Sequence, residues 1–247
     1  MSEKPIAVVV NGAQGRMGQE VVKAVNAAPD LELVAGVDLG DDLEAMVREV
    51  AAQVVVDFTQ PAVAVENTRT ILRSGACPVV GTTGFSREDI AALQSEAAKL
   101  GRGGLIAPNF AIGAVLLMKF AAEAARFMPA VEIIELHHDQ KLDAPSGTAL
   151  KTAEFIREAG AESWSAHPDA RETVDGARGA HYQGVRVHSV RLPGLVAHEE
   201  VIFGGLGQIL TIRHDSITRE SFMPGVVLAA RKVVALDKLY YGLENLL

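Results

Sequence analysis

The chain has 247 residues, and its contents of 49% hydrophobic and 22% charged residues are typical of a soluble globular protein with a core of ordinary size. Its formal net charge of -8 argues against nucleic acid as a partner, since phosphate backbones bind to basic surfaces, but leaves small anionic substrates open. The single cysteine, Cys77, excludes an internal disulfide and fits a reducing compartment. No signal peptide is recognisable and the apolar segment 110–118 is too short to cross a bilayer, so we expect a cytoplasmic protein without membrane contact.

Up to residue 107 the chain alternates short β-branched runs with helical patterns, which predicts a parallel sheet with helices on both faces. Helix starts are indicated by Asp41-Asp42, by Pro61 shortly after a threonine, and by Ser86 followed by acidic residues. The predicted strands are Ile6–Val10, Leu31–Val37, Val54–Asp57, Pro78–Gly81 and Leu105–Ala107.

Beyond Asn109 the pattern changes and predicts a second domain with an antiparallel or mixed sheet. The polar stretch Gly160–Gly184 is predicted to be a long loop, in which Trp164 is assigned to packing or to an interface. The last predicted helix, Pro224–Leu236, has the apolar periodicity to pack against the first domain. The other predicted elements are the helices Phe110–Phe127 and Ala149–Ala159 and the strands Val131–His138, Val185–Arg191, Glu199–Gly204 and Gln208–Arg213.

Three glycines, Gly12, Gly15 and Gly18, follow the first predicted strand and open the first helix. Glycine lets the backbone turn sharply and approach a pyrophosphate, which free N–H groups and the helix dipole attract. The spacing G-x-x-G-x-x-G departs from the common G-x-G-x-x-G, and a plain tight turn between strand and helix is the alternative interpretation.

Asp38 comes at the end of the second predicted strand, where a carboxylate can accept hydrogen bonds from an adenosine ribose and repel a 2′-phosphate. The next residue, Leu39, supplies no cation for such a phosphate, although Arg16 in the glycine loop is a candidate. NADH is therefore the expected cofactor, with use of NADPH left open. A surface acid that merely begins a loop is the alternative interpretation of Asp38.

Three further strand ends are expected near the glycine loop, because ligands bind at the carboxyl ends of parallel strands: Asp57-Phe58-Thr59, Gly81-Thr82-Thr83-Gly84 and Ala107-Pro108-Asn109-Phe110. Their small residues and backbone amides suit contacts to ribose and nicotinamide. Asn109 is suited equally to a hydrogen bond with the carboxamide and to capping the helix that follows, and the sequence does not separate these roles.

The segment ELHHDQKLDAPSGTA, residues 135–149, is unusually dense in polar and conformationally special residues. Along a regular strand His137 and His138 point to opposite faces, so one is expected in a site and the other at its edge. Lys141 can reach back from the loop that follows. Histidine and lysine together offer proton transfer and positive charge, which predicts a proton donor at this place.

The end of this segment, Ser146-Gly147-Thr148, forms the start of the next predicted helix, with Ser146 as its N-cap. Hydroxyls and free N–H groups at a positive helix end suit a carboxylate, so the whole segment predicts a doubly charged acid beside a proton donor. No metal is expected, because adjacent histidines chelate poorly and no third ligand stands at a recognisable spacing. The alternative is a capped helix beside a structural histidine pair.

These motifs resemble those of the 4-hydroxy-tetrahydrodipicolinate reductase (dihydrodipicolinate reductase) family of bacterial diaminopimelate and lysine synthesis. The resemblance covers essentially the whole chain, and actinobacterial members look most similar. It implies a Rossmann-type, doubly wound α/β domain, residues 1–108 and 216–247, around an inserted α+β substrate domain, residues 109–215. It also implies a homotetramer and reduction of a small cyclic dicarboxylate by NAD(P)H. The motifs are GAQGRMG, DFTQP, GTTGF, APNFAIGAVL, the 135–149 segment, VRLPGLVAHEEVIFG and LTIRHDS.

The resemblance also implies roles for individual residues. His137 matches the family's general acid/base and Lys141 its proton donor, while His138, Gly147 and Thr148 match substrate-binding positions, with Ser146 beside them. Leu39 stands where many enterobacterial-type members carry arginine, which favours NADH. The family's cofactor contacts match Gly12, Ala13, Gln14, Gly15, Arg16, Met17, Asp38, Gly81, Thr82, Thr83, Ala107, Pro108, Asn109 and Phe110.

Two other functions compete with this one. A related dehydrogenase for another imino or keto acid would not need the His-Lys-Ser-Gly-Thr set, and an idle NAD(H)-binding sensor would not need a positioned proton donor. Asp215 is suited either to support the site or to pair with Arg213 or Arg219. The remaining scattered histidines, interpreted as surface or structural residues, are His181, His188, His198 and His214.

Overall fold

The computed structural model describes residues 4–160 and 171–247. It divides into two compact units, the first formed by Met1–Ile112 and Arg219–Leu247 and the second by Gly113–Thr218. The chain thus leaves and re-enters the first unit a few residues from the positions at which its sequence pattern changes. Trp164 and the rest of 161–170 lie outside the described residues.

The strands, in chain order, are β1 (Ile6–Asn11), β2 (Leu31–Val37), β3 (Val54–Asp57), β4 (Cys77–Val80), β5 (Gly104–Ile106), β6 (Ala130–His137), β7 (Ala180–Tyr182), β8 (Val185–Arg191), β9 (Ala197–Gly205), β10 (Gln208–Ser216) and β11 (Leu239–Tyr241). The α-helices are α1 (Arg16–Ala27), α2 (Leu43–Glu49), α3 (Pro61–Arg73), α4 (Arg87–Leu100), α5 (Ile112–Ala125), α6 (Gly147–Glu158) and α7 (Met223–Val233). Short 3-10 helices cover Arg219–Phe222 and Leu243–Leu246.

The first unit is built on a parallel sheet of six strands in the order β11-β5-β4-β3-β1-β2. Its central strands β1 and β3 carry runs of valine, Val8–Val10 and Val54–Val56, that are fully buried, as expected for a sheet covered on both faces. The chain runs from β1 outward to β2 and then returns to β3 on the other side of β1, so the strand order reverses between β1 and β3. The predicted doubly wound α/β fold is confirmed.

Helices α2 and α4 begin where the sequence placed their caps, whereas the cap predicted for α3 is wrong, because the Thr59 hydroxyl donates to Asp57 and Gln60 precedes the helix without a side-chain cap. Asp42 accepts a hydrogen bond from the backbone N–H of Ala45 and caps α2. Ser86 and Asp89 form a capping box at the start of α4, which ends at Gly101 in the left-handed conformation with φ 60°. The short strand β11 was not predicted, because three residues are too few to show a periodic pattern.

The second unit contains a mixed sheet in the order β10-β9-β6-β8-β7, in which β6 and β8 are parallel and the other pairs antiparallel. Alternate residues of its central strands, including Ile133, Val187, Val201 and Phe203, form a buried face. A mixed sheet confirms the prediction for this part of the chain.

One prediction for the second unit is wrong. The stretch Gly160–Gly184 was expected to be a continuous loop, but Ala180–Tyr182 forms β7 and pairs with β8. Two of its three residues are exposed, so no alternation of apolar and polar side chains marks it in the sequence. Its pairing with β8 is a tertiary contact that the local pattern does not encode.

Candidate active site

The loop between β1 and α1 has glycines at positions where a side chain would not fit. Gly12 has a φ of 81°, and a Cβ atom on Gly18 would lie 1.9 Å from the carbonyl oxygen of Gly12. The N–H of Gly15 donates to the same oxygen at 3.0 Å and leads into α1, whose first turn contains no acidic residue. The close approach of the loop to α1 and the positive end of that helix therefore fit a dinucleotide pyrophosphate.

Asp38 follows β2 directly and lies against this loop. Its Oδ2 accepts a hydrogen bond from the backbone N–H of Gln14 at 2.7 Å, and its own N–H donates to Asp41 Oδ2 at 2.8 Å. The carboxylate thus fixes the glycine loop, a role that neither interpretation of the sequence included. The neighbouring Leu39 side chain is fully exposed, and Arg16 is exposed within the loop.

Asp57, at the end of β3, connects the strand ends that surround the loop. Its carboxylate is buried and accepts hydrogen bonds from Asn11 Nδ2 at 2.7 Å, Thr59 Oγ1 at 2.7 Å, Asn67 Nδ2 at 2.9 Å and Thr82 Oγ1 at 3.2 Å. This network ties β1, β3 and β4 together at their carboxyl ends. The sequence predicted that the strand end Asp57-Phe58-Thr59 lies in this crevice, but it gave Asp57 itself no contact.

The other predicted cofactor residues lie on the same side of the sheet, at the ends of β4 and β5. A Cβ atom on Gly81 would lie 2.1 Å from the ring of Phe58, which packs against Phe110 with centroids 5.7 Å apart. Asn109 Oδ1 accepts a hydrogen bond from the N–H of Ala111 at 2.8 Å, just before α5, and both roles given to Asn109 stay predictions. Of the remaining positions, Ala107 and Thr82 are buried, whereas Thr83 and Pro108 are exposed.

In the second unit, His137 belongs to a buried ionic network at the end of β6. Its Nδ1 lies 2.5 Å from Oε2 of Glu135, two residues earlier on the same face of the strand. Glu135 is fully buried and forms a two-pronged ion pair with Arg191 of β8, at 2.8 Å from Nη1 and 2.7 Å from Nη2. The carboxylate therefore holds the imidazole in one orientation.

The ionisation of Glu135 follows from these contacts. Burial alone would raise the pKa of this carboxyl group, but hydrogen bonds with His137, Arg191 and Ser189 lower the pKa to about 2. Glu135 is thus a fixed negative charge at neutral pH. Sequence reasoning quoted Glu135 and Arg191 within motifs but gave neither a role.

The two neighbouring histidines differ in position, because the strand ends at His137 and His138 lies beyond it. His137 shares the face of Glu135, whereas His138 follows the strand and its carbonyl accepts the N–H of Lys141 at 3.2 Å. The Lys141 ammonium group lies 2.7 and 2.9 Å from the two oxygens of Asp143, and the hydrogen bond from Lys141 lowers the pKa of Asp143. Arg191 Nη2 also donates to the carbonyl of Asp143 at 2.7 Å, so the arginine connects the lysine loop with the His137 network.

Ser146 caps α6, and its backbone N–H is occupied within the protein. Its Oγ accepts the N–H of Ala149 at 3.2 Å, its own N–H donates to Glu135 Oε1 at 3.1 Å, and its side chain is buried. The expected contact of Ser146 with a substrate stays a prediction. Gly147 is exposed, and a Cβ atom added to it would meet no atom within 4 Å, so the helix start is open to a ligand there.

Several residues that the sequence left undecided have structural partners. Asp215 pairs with Arg213 at 3.0 Å and with His198 at 2.6 Å, and His188 pairs with Glu132 at 2.7 Å. Among residues 4–160 and 171–247, no cluster of three His, Cys, Asp or Glu is arranged to hold a metal ion. Within the same ranges no helix combines the length and apolarity needed to cross a membrane.

Known protein families match both parts of this architecture. The description "Dihydrodipicolinate reductase, N-terminus" fits residues 6–110, and "Dihydrodipicolinate reductase, C-terminus" fits residues 113–247. The chain belongs to the dihydrodipicolinate reductase family. It is therefore an oxidoreductase of diaminopimelate and lysine synthesis that uses a pyridine nucleotide, which confirms the function predicted from the motifs.

Individual relatives agree along the full chain. Proteins named 4-hydroxy-tetrahydrodipicolinate reductase are 54% identical in Listeria monocytogenes, over 97% of this chain and 99% of the relative, and 50% identical in Bacillus subtilis, over 100% of both. A dipicolinate-bound dihydrodipicolinate reductase from Paenisporosarcina sp. TG-14 superposes with a TM-score of 0.91 at 45% identity, covering 98% of this chain and 100% of that one. These organisms are not actinobacteria, so the expected closeness to actinobacterial members stays a prediction.

Proposed function

We propose that this chain reduces 4-hydroxy-tetrahydrodipicolinate to tetrahydrodipicolinate, with loss of water, and that His137 and Lys141 handle the protons. The observation that carries the proposal is the His137–Glu135–Arg191 network beside the start of α6. It combines an oriented proton carrier with a helix end suited to a carboxylate. The names of the relatives supply the substrate.

The residues near the glycine loop are proposed to hold the nicotinamide cofactor, which supplies a hydride when bound. Gly12–Met17 would contact the pyrophosphate, Asp38 the adenosine ribose, and Gly81–Thr83 with Ala107–Phe110 the nicotinamide end. Asp38 is already hydrogen-bonded to Gln14 and would repel a 2′-phosphate, and Leu39 offers it no counter-charge. We therefore favour NADH over NADPH, with the exposed Arg16 as the group that would permit NADPH.

The substrate is proposed to be a small cyclic dicarboxylate, as in the solved relative that contains dipicolinate. Gly147 and Thr148 would bind one carboxylate at the α6 N-terminus, and His138 would contact the substrate from the edge of the strand. Ser146 would act by holding the helix start in place through its two hydrogen bonds.

The chemical step needs positive charge and a proton near the substrate. A conjugated imine gains negative charge as hydride arrives, so protonated neighbours stabilise that transition state more than the ground state. His137 is kept ready for proton transfer by the buried Glu135 carboxylate. Lys141 would exchange its contact with the exposed Asp143 for the substrate and donate a proton there.

The assembly is proposed to be a homotetramer, as the family resemblance implies, in a cytoplasm whose reducing conditions suit the buried free thiol of Cys77. The five-stranded sheet supports self-association because one face carries half-exposed and exposed apolar side chains. Ile209 on β10 is 75% exposed, and its neighbours on that face include Ile134 and Ile202.

Steady-state kinetics of two variants test the proposal. We expect Lys141→Ala to lower kcat by about 100-fold with little change in KM, because general acid catalysis contributes roughly that factor. We expect Thr148→Val chiefly to raise KM for the dicarboxylate. Oxidation of NADH by Lys141→Ala at the wild-type rate would contradict the role of Lys141, and absence of any oxidation by the wild-type enzyme would contradict the proposed activity.

A further inference from the structure

A second carboxyl group lies beside Glu135 on the buried face of the mixed sheet. Glu199 of β9 is the register partner of Glu135 across the antiparallel β6–β9 pair, and it is only 5% exposed. His214 of β10 is in turn the register partner of Glu199. Two acids at directly opposite positions cannot both stay charged at low cost, because like charges repel and burial removes their hydration.

The hydrogen bonds of the two acids show which of them carries the charge. Glu135 is bonded to His137, Arg191, Ser189 and the N–H of Ser146. Glu199 is bonded to Thr152 of α6, and its Oε1 has no hydrogen-bond partner among the described residues. Glu135 therefore has the donors that an ionised carboxylate needs, and Glu199 lacks them.

The hydrogen bond between Glu199 and Thr152 bears on the protonation state of the Glu199 carboxyl group. The single hydroxyl proton of Thr152 is donated to the carbonyl oxygen of Thr148 at 3.0 Å. With its proton placed there, the hydroxyl oxygen can accept a hydrogen bond from a protonated Glu199 carboxyl group. Burial raises the pKa of Glu199 to about 7, the hydrogen bond with Thr152 opposes the rise, and the charge of Glu135 adds to it.

We propose that Glu199 is a positioning residue that acts on the His137 imidazole through Glu135, by adding a second buried negative charge to the carboxylate that holds the ring. The inference rests on the proposed role of His137 as acid/base.

The charged and titratable groups that face Glu199 determine the direction of the effect. These are Glu135 on β6 with its partners His137 and Arg191, His214 on β10, and the Thr152 hydroxyl on α6. Arg191 offsets one negative charge only. When Glu199 ionises above neutral pH, the second negative charge favours the protonated imidazole, so the wild-type enzyme keeps its acid form to higher pH than it would without Glu199.

The substitution Glu199→Gln removes this ionisation and keeps the shape, and its amide can still donate to Thr152. We expect kcat/KM equal to wild type at pH 6 and up to about tenfold lower at pH 9, because the alkaline limb of the pH profile moves down by about one pH unit. The matched control is Glu154→Gln on α6, whose carboxylate accepts from the Tyr182 hydroxyl instead. The alkaline limb of the pH profile of kcat/KM for this control should coincide with that of wild type.

A direct measurement separates this inference from the proposed function. In the free wild-type protein, NMR of the His137 ring should show two titration steps, one of them near neutral pH from Glu199, and Glu199→Gln should show a single step. This readout holds even if His137 proves not to be catalytic, and it needs no variant should Glu199→Gln fail to fold. A single titration step of the His137 ring in the wild-type protein would overturn the proposal. So would a pH profile of kcat/KM for Glu199→Gln that superposes on wild type or is lowered equally at every pH.

Discussion

At the scale of single residues, the ion pair of Glu135 and Arg191 is the interaction on which the candidate acid site depends most. Glu135 is fully buried, and the Arg191 side chain is 18% exposed. A buried pair adds little net stability over apolar residues, but the loss of one partner leaves an uncompensated charge. Each of the two charges therefore requires the other in this buried site. The Glu135 carboxylate held in this way also fixes the orientation of His137.

We predict that Arg191→Met has a free energy of unfolding on the order of 3 kcal/mol lower than wild type at pH 7. The pKa of Glu135 is lowered in the fold to about 2 from 4.5, so its contribution is present above pH 4.5 and is lost as pH falls through 2. The loss in Arg191→Met should accordingly shrink at acidic pH. Urea unfolding at pH 7 and pH 3 measures both effects.

The control for this experiment is Arg126→Met, which removes a guanidinium that is 57% exposed and pairs with Glu123 close by in the chain. We expect a change below about 1 kcal/mol, because solvent screens exposed pairs. Equal losses of unfolding free energy in the two variants would show that the buried pair contributes no more to stability than an exposed pair.

At the scale of elements, the close approach of β1, its glycine loop and α1 determines the geometry of the cofactor site. Gly18 is inside α1, yet the space that a side chain would need is occupied by the backbone of Gly12. The sequence showed the glycines, but the contact between Gly18 and Gly12 arises only when the loop is folded.

We predict that Gly18→Ala weakens NADH binding by more than about tenfold, since the added methyl group forces the loop away from its pyrophosphate-binding form. Fluorescence titration with NADH measures the affinity. Gly204→Ala in β9, where a Cβ atom meets nothing within 4 Å, is the matched control and should bind NADH as wild type does. Wild-type affinity in Gly18→Ala would refute the assigned role of the loop.

At the scale of the whole molecule, the face of the mixed sheet that carries Ile134, Ile202 and Ile209 is the basis for the proposed homotetramer. We predict that Ile209→Asp shifts the protein to smaller assemblies, because a buried interface would have to desolvate the new charge. Sedimentation velocity at several concentrations measures this. Phe127→Asp, at a position 77% exposed just beyond α5, is the control and should sediment as wild type does. An unchanged assembly in Ile209→Asp would argue against this face.

The amino-acid sequence by itself determined the alternation of strands and helices, the helix caps at Asp42 and Ser86, and the glycine loop, because these depend on local periodicity and on side-chain to backbone contacts. It also identified the family. The change of pattern beyond Asn109 also predicted a second domain.

Only the tertiary structure decided which groups meet. The pairing of β6 with β8 and β9 brings Arg191 and Glu199 to either side of Glu135, although Arg191 is 56 residues away along the chain and Glu199 is farther still. Other tertiary contacts formed β7, joined the backbone N–H of Ser146 to Glu135, and made Asp38 a support of the glycine loop. Contacts between distant strands depend on register, and register depends on the folded sheet as a whole rather than on any local pattern.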